Sequence, residues 1–270
     1  MSQTEENIIS EENTTNSDEN IVVSQDLKQI KNDFLQAIND DNVEFISKHY
    51  HLKLIPEVKL VIYSVIQNLN NIFNYCLSQN VELAHQVLND NNGYRLLEYV
   101  CQYGRFDMLN TLTTTYQTDI NRINTNSINQ QTYLPVNICI YEKHNDLIKC
   151  LLNHNLDCSI GHNLTGNTAL HMCVLSNNHQ GLDLILQSEI NANMINCSGN
   201  TPLHLAAYIN DYESVVILVK HGANINSKNF NYNTPIDLAL LEDNQEIIKF
   251  MRDNNAQASY GNSIEVNLSM

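Results

Sequence analysis

Tryptophan is absent from this 270-residue chain, and glycine (eight), proline (four) and basic residues (14 lysines plus arginines) are scarce. Each shortage narrows the choice of function. The glycines form neither G-x-x-x-x-G-K nor G-x-G-x-x-G, so no loop that cradles nucleotide phosphates is expected. The 14 basic residues face 30 acidic ones, a formal net charge of −16. Phosphate recognition needs clustered lysine and arginine, which argues against nucleic acid, and an anionic membrane would repel such a surface. Basic patches on a protein partner stay compatible with it. The N-terminus is acidic and polar, so no secretory leader is expected. The most apolar early stretch, "LKLIPEVKLVIYSVI", is broken by lysines, a glutamate and a proline and predicts no bilayer-spanning helix. H-E-x-x-H and a serine elbow are missing as well, and the chain is expected not to be an enzyme.

What is present is 43% apolar residues, enough to bury a core, with asparagine and isoleucine abundant. Seven cysteines lie in apolar contexts, Cys101, Cys139, Cys150 and Cys173 among them, which suits reduced, buried thiols in a cytoplasmic protein. Residues 1–24 are polar and acidic with no basic residue, and predict a disordered tail. Residues 25–92 carry short apolar-periodic stretches. Among them, "LKQIKNDFLQAI" and "NVEFISKHY" predict two brief helices around "NDDN". The last residues, 258–270, are polar again and predict a flexible tail.

Between these ends the chain repeats itself. "GNTALHMCVL" starts at Gly166, "GNTPLHLAAY" at Gly199 and "YNTPIDLALL" at Tyr232, each 33 residues after the last. Pro135 fits the same slot with one inserted residue, and Leu96 heads a fainter copy. In each unit a threonine such as Thr201 is a good N-cap, and Pro202 occupies the first helical position, where a missing N–H costs nothing. Leu203, Leu205, Ala206 and Ala207 then give a short one-faced helix. "NDY" turns the chain, "ESVVILVKH" forms a second helix, and Gly222 stops it. Helices this short are marginal alone, so each pair must stack on its neighbours.

The T-P-L-H, A-A and G-A-x-x-N landmarks stand at Thr201–His204, Ala206–Ala207 and Gly222–Asn226, and the segment resembles the ankyrin repeat. That resemblance covers 93–257, with 25–92 as divergent capping repeats. It implies an all-α ankyrin-repeat solenoid of stacked helix-turn-helix pairs with β-turn tips and a concave face that binds other proteins. It also implies that His171 and His204 bridge backbone groups between turns. The sequence departs from the pattern at the second-helix stop, where Asn155, Glu189 and Asn255 replace glycine. Glutamate tolerates the left-handed region poorly, so the helix ending at Glu189 is expected to be irregular or mildly strained. Asn137 and Asp237 replace the landmark histidine, and Asp237 suits an end repeat.

The sharpest metal candidate is "CLLNHNLDCSIGH", with Cys150, His154, Cys158 and His162 each four apart. The ligand types suit zinc, but the spacing matches no known finger and Cys150 aligns with the core position Ile217. Neither metal nor cofactor is expected. The resemblance places turn-tip and first-helix-end side chains on the concave face, and its register lands on Tyr94, Tyr103, Tyr133, Tyr141, Leu175, Tyr208, Ile209, Phe230 and Leu241. Tyrosine supplies rigid amphipathic contact area favoured at binding hot spots, so these residues, with Glu142 on a polar rim, form the candidate partner-binding stripe. The expected function is a non-catalytic protein-interaction module (adaptor, inhibitor or host-targeting effector), monomeric and cytoplasmic. The composition resembles ankyrin proteins that intracellular bacteria deliver into host cells, and equally amoebal proteins. The competing reading is an enzyme or effector active in its N-terminal helical region, with the repeats as a docking arm.

Overall fold

Three threonines with extended backbone, Thr168, Thr201 and Thr234, each open a seven-residue helix through a capping box closed by the side chain three residues on. A computed structural model describes residues 21–79, 93–121, 134–162 and 164–259 of the chain, with side chains from 28 and from 96 onward in the first two segments. The described residues divide between two compact units, Met1–Thr118 and Asp119–Met270.

The first unit holds α1 (Ile21–Asn39), α2 (Val43–His49), α3 (Glu57–Gln67), α4 (Asn70–Gln79), α5 (Gly93–Gln102) and α6 (Phe106–Thr114). These pair as hairpins: α2 packs on α1, α4 on α3 and α6 on α5, while α5 lies against α3 and α6 against α4. Asp41 caps α4 from the preceding hairpin, accepting from the Asn71 and Ile72 amides. Arg105 caps α3 from the following one, donating to the Val65 and Ile66 carbonyls at 2.7 and 2.5 Å. Two boundaries differ from the sequence expectation. Helix α1 begins at Ile21, inside the segment assigned to a tail, because Ile21–Val23 are apolar and the acidic run ends at Glu19. The unit boundary follows Thr118, inside the 93–257 span, because the α5–α6 hairpin packs on α3 and α4. Residues 1–20, 80–92 and 260–270, which include most of both expected tails, lie outside the described residues.

The second unit is four hairpins: α7 (Pro135–Tyr141) with α8 (Asn145–Asn153), α9 (Ala169–Leu175) with α10 (His179–Gln187), α11 (Pro202–Tyr208) with α12 (Tyr212–Lys220), and α13 (Pro235–Leu241) with α14 (Gln245–Asp253). Each first helix packs on the next first helix and each second helix on the next second helix, which is an all-α solenoid. The cores are the periodic apolar residues, such as Leu170, Cys173 and Val174 in α9 and Leu203, Ala206 and Ala207 in α11.

Two residues per hairpin take the left-handed conformation, at intervals of 34 residues and then 33. Lys143, Asn177, Asn210 and Asp243 follow the first helices, and Asn155, Glu189, Gly222 and Asn255 follow the second. Only Gly222 avoids the Cβ clash of that region; asparagine tolerates it and glutamate does so poorly. Glu189 nonetheless sits at φ 60, and α10 keeps the nine-residue length of its counterparts. The strain expected there is therefore confined to one residue and does not disorder the helix. Glycine is required at the turn tips for a second reason: a Cβ on Gly199 would lie 2.6 Å from the Phe230 ring, and one on Gly166 would lie 2.7 Å from the Cys197 amide.

Replacing Glu189 with glycine is expected to raise the urea midpoint, with a gain of about 1 kcal/mol once the larger entropy of unfolded glycine is subtracted. Gly222→Ala should lower it by a similar amount. An unchanged or lower midpoint for Glu189→Gly would mean that φ 60 costs nothing here.

Candidate interaction surface

The interaction surface of the second unit is built on polar ladders that fix one hairpin against the next. In the first of these, His171 Nδ1 accepts from the Thr168 amide (3.2 Å) and lies 2.9 Å from Thr168 Oγ1, while Nε2 donates to the Asn200 carbonyl at 2.9 Å. His204 repeats this with Thr201 and the Asn233 carbonyl at 3.0 Å. An amide on one nitrogen and a carbonyl on the other require the neutral ring protonated at Nε2. Burial, above all, lowers His171 from 6.5 to about 4 and also lowers His204. In the last hairpin Asp237 takes the slot and accepts from the Thr234 amide at 2.7 Å. Its carboxylate offers no hydrogen for a following carbonyl and accepts from the Ser259 amide at 3.0 Å instead. In the first, Asn137 takes the slot and its Oδ1 is buried without a partner.

A second ladder runs along the turns. Asn196 accepts from the Ser198 and Asn200 amides and donates to Asn167 Oδ1 at 2.9 Å; Asn229 does the same with Asn231, Asn233 and Asn200. The tips also bond side by side, Cys197 N–H to the Thr165 carbonyl and Phe230 N–H to the Ser198 carbonyl. A third ladder uses the second-helix N-caps. Asn178 reaches back to the Ile140 carbonyl and Asn244 to the Ala207 carbonyl. Asp211, in the equivalent place, cannot donate and instead meets His179 Nε2 at 2.9 Å, while His179 Nδ1 faces Glu213 at 3.0 Å.

On this scaffold the last residue of every first helix is left in solvent: Tyr141 is 71% exposed, Leu175 45%, Tyr208 51% and Leu241 68%. Ile209 follows Tyr208 and is partly exposed, Glu142 follows Tyr141 and is exposed, and Phe230 stands at a turn tip with 64% exposure. Tyr103 belongs to the first unit, where it stacks on Tyr99 and under the Arg105 guanidinium. Tyr94 lies on α5 with its side chain outside the described residues, and Tyr133 lies outside them altogether. Leu164 and Cys197, both exposed, precede Phe230 at intervals of 33 and form a turn-tip row with it. That row was missed in the sequence although the period that gave Phe230 would have found it. Tyr232, at φ 63 and exposed, was missed because glycine holds its slot in the other turns.

The other candidate constellation does not assemble. Cys150 Sγ is 3.9 Å from His154 Nδ1, which is also 2.8 Å from the Cys150 carbonyl, while His162 lies against the Leu164 amide. Among the described residues no three His, Cys, Asp or Glu side chains come together as a metal would need. None of the seven cysteines is in a disulfide. Burial pushes the Cys76 and Cys158 thiols up to about 12 and raises Cys173 too, so these stay protonated and are poor nucleophiles.

Residues 182–262 match the family model for ankyrin repeats in three copies. That segment of the chain is a run of ankyrin repeats. No curated protein matches the chain. Ankyrin repeats are in general protein–protein interaction modules, and the family is typically non-catalytic. The exposed helix ends extend beyond the matched span, through the first hairpin and the first helix of the second, since Tyr141 and Leu175 precede residue 182. Among the described residues no helix is long and apolar enough to cross a membrane.

The neutral ladder sets a pH dependence. His171 is lowered in the folded protein, so the unfolded chain takes up a proton first. The ladder's stability is complete above pH 6.5 and is lost as pH falls toward about 4, by roughly 3 kcal/mol. Urea midpoints measured across that window should fall less steeply for His171→Asn than for the parent. Parallel slopes would show that the imidazole does not have to stay neutral.

Proposed function

We propose that the chain is a non-catalytic binding protein, an adaptor, inhibitor or effector, that grips a protein partner with the second unit's exposed helix ends and turn tips. The contact residues are Tyr141, Leu175, Tyr208 and Leu241, with Ile209 and Phe230 beside them and Glu142 at the rim. The observation that carries this reading is the contrast within each seven-residue helix: its first six residues include the buried core positions, while its last, at four equivalent places, is a large apolar side chain left in water. Scattered exposed apolar residues need no explanation, but a periodic row of them marks an interaction site. The competing enzymatic reading loses weight because the described part of 26–79 is accounted for by helical hairpins with mutual caps. Cytoplasmic residence, or delivery into a host cell, belongs to the same proposal, as does a monomeric state, which the net charge of −16 favours by self-repulsion.

The test is affinity capture with the full chain and with Tyr141→Ala/Tyr208→Ala, followed by mass spectrometry. Proteins retained by the parent are expected to drop about tenfold with the variant, as loss of two aromatic hot spots implies. The melting temperature should change little, because both rings are more exposed than buried. Equal capture by the two proteins would place the binding surface elsewhere.

A further inference from the structure

Resting on that reading of the helix-end row, we propose that the occupant is a proline-rich partner segment in the polyproline II conformation, with a basic residue where it passes Leu241. Three features of the row lead there. The first is its period. First helices pack directly on one another, and packed helix axes stand about 8–10 Å apart. A polyproline II chain returns to the same face every three residues, about 9.3 Å. An α-helix does so after seven residues, about 10.5 Å, and a strand after two or four, about 6.6 or 13 Å. The polyproline II repeat falls inside that general spacing, the helical repeat just above it and the strand repeats well away from it.

The second feature is the chemistry of the row. It alternates aromatic and aliphatic, Tyr141, Leu175, Tyr208, Leu241, and carries hydroxyl groups on rings that stand in water. Exposed Asn177 and Asn210 follow Leu175 and Ile209 and add amide donors between the apolar residues. A polyproline II backbone makes no internal hydrogen bonds, so its carbonyls seek such donors, while its prolines lie on aromatic faces. A helical ligand has already used its carbonyls and would leave the tyrosine and asparagine donors without purpose.

The third is charge. The two middle hairpins offer Ser176–Asn177 and Ile209–Asn210 beside the row, with no charge, whereas the ends offer Glu142–Lys143 and Glu242–Asp243, all exposed. The first end is balanced and the second carries two negative charges. A ligand that complements this is uncharged along its middle and basic at the Leu241 end.

The experiment is a selection of random linear peptides displayed on phage against the immobilised full chain, with synthetic peptides then measured by fluorescence anisotropy. The expected consensus has proline and apolar residues in a three-residue period over about ten residues, with lysine or arginine at one end. Inserting one residue between its anchors should weaken binding about tenfold, and replacing its basic end with glutamate should weaken it several-fold. A consensus with a seven-residue period, an acidic end or no period would overturn the inference. If binding of that consensus still fell with Tyr208→Ala or Tyr141→Ala, the function proposed above would stand. Selected peptides indifferent to both substitutions, or no enrichment at all, would overturn the inference and the helix-end site together.

Discussion

Seven residues of α-helix cannot hold themselves together in water, because nucleation fixes several residues before the first hydrogen bond forms. Every first helix in the second unit has that length. A threonine closes the N-terminus of three of the four, and each is stable only because a nine-residue partner covers one side and the neighbouring hairpins cover the next. Burial and bonding therefore have to be arranged between repeats, which is why the buried polar groups are so regular. His171, His204, Asn178 and Asn244 are buried, and each bonds across to another hairpin. The apolar core supplies attraction without direction. The polar ladders fix the register in which the hairpins stack.

The solenoid was legible because its rules are local and repeated. A threonine three residues and a proline two residues before a histidine-type landmark, and a 33-residue interval, fix where these helices start. The left-handed stop at Glu189 was legible by alignment alone, although its side chain argued against it, because tertiary packing overrides the preference of one residue. The exposed row of the candidate site was legible where it follows the same period, at Tyr141, Leu175, Tyr208 and Leu241. What escaped was what breaks the period. Asp211 reads as an ordinary N-cap, and nothing local in the sequence says that it takes an imidazole from His179, 32 residues away. Arg105 reads as a surface cation, yet it caps a helix in another hairpin. Both depend on contacts that no window of sequence contains.

The first unit illustrates the same limit. Its hairpins stack in the manner of the second, but their caps are individual: Asp41 on α4 and Arg105 on α3 each occur once. Without a repeated cap there is no repeated word for the eye to find. Sequence similarity between repeats thus fades sooner than structural similarity does.

Asp211 has a consequence for how such a protein can change over time. Its neighbours in the series, Asn178 and Asn244, each donate to a carbonyl of the hairpin before them, while Asp211 accepts from His179. The third hairpin is therefore keyed to the second. Shuffled behind a hairpin with no donor in the His179 position, it would leave that carboxylate without its cross-hairpin partner, so a change in the order of these building blocks would call for a second change beside it.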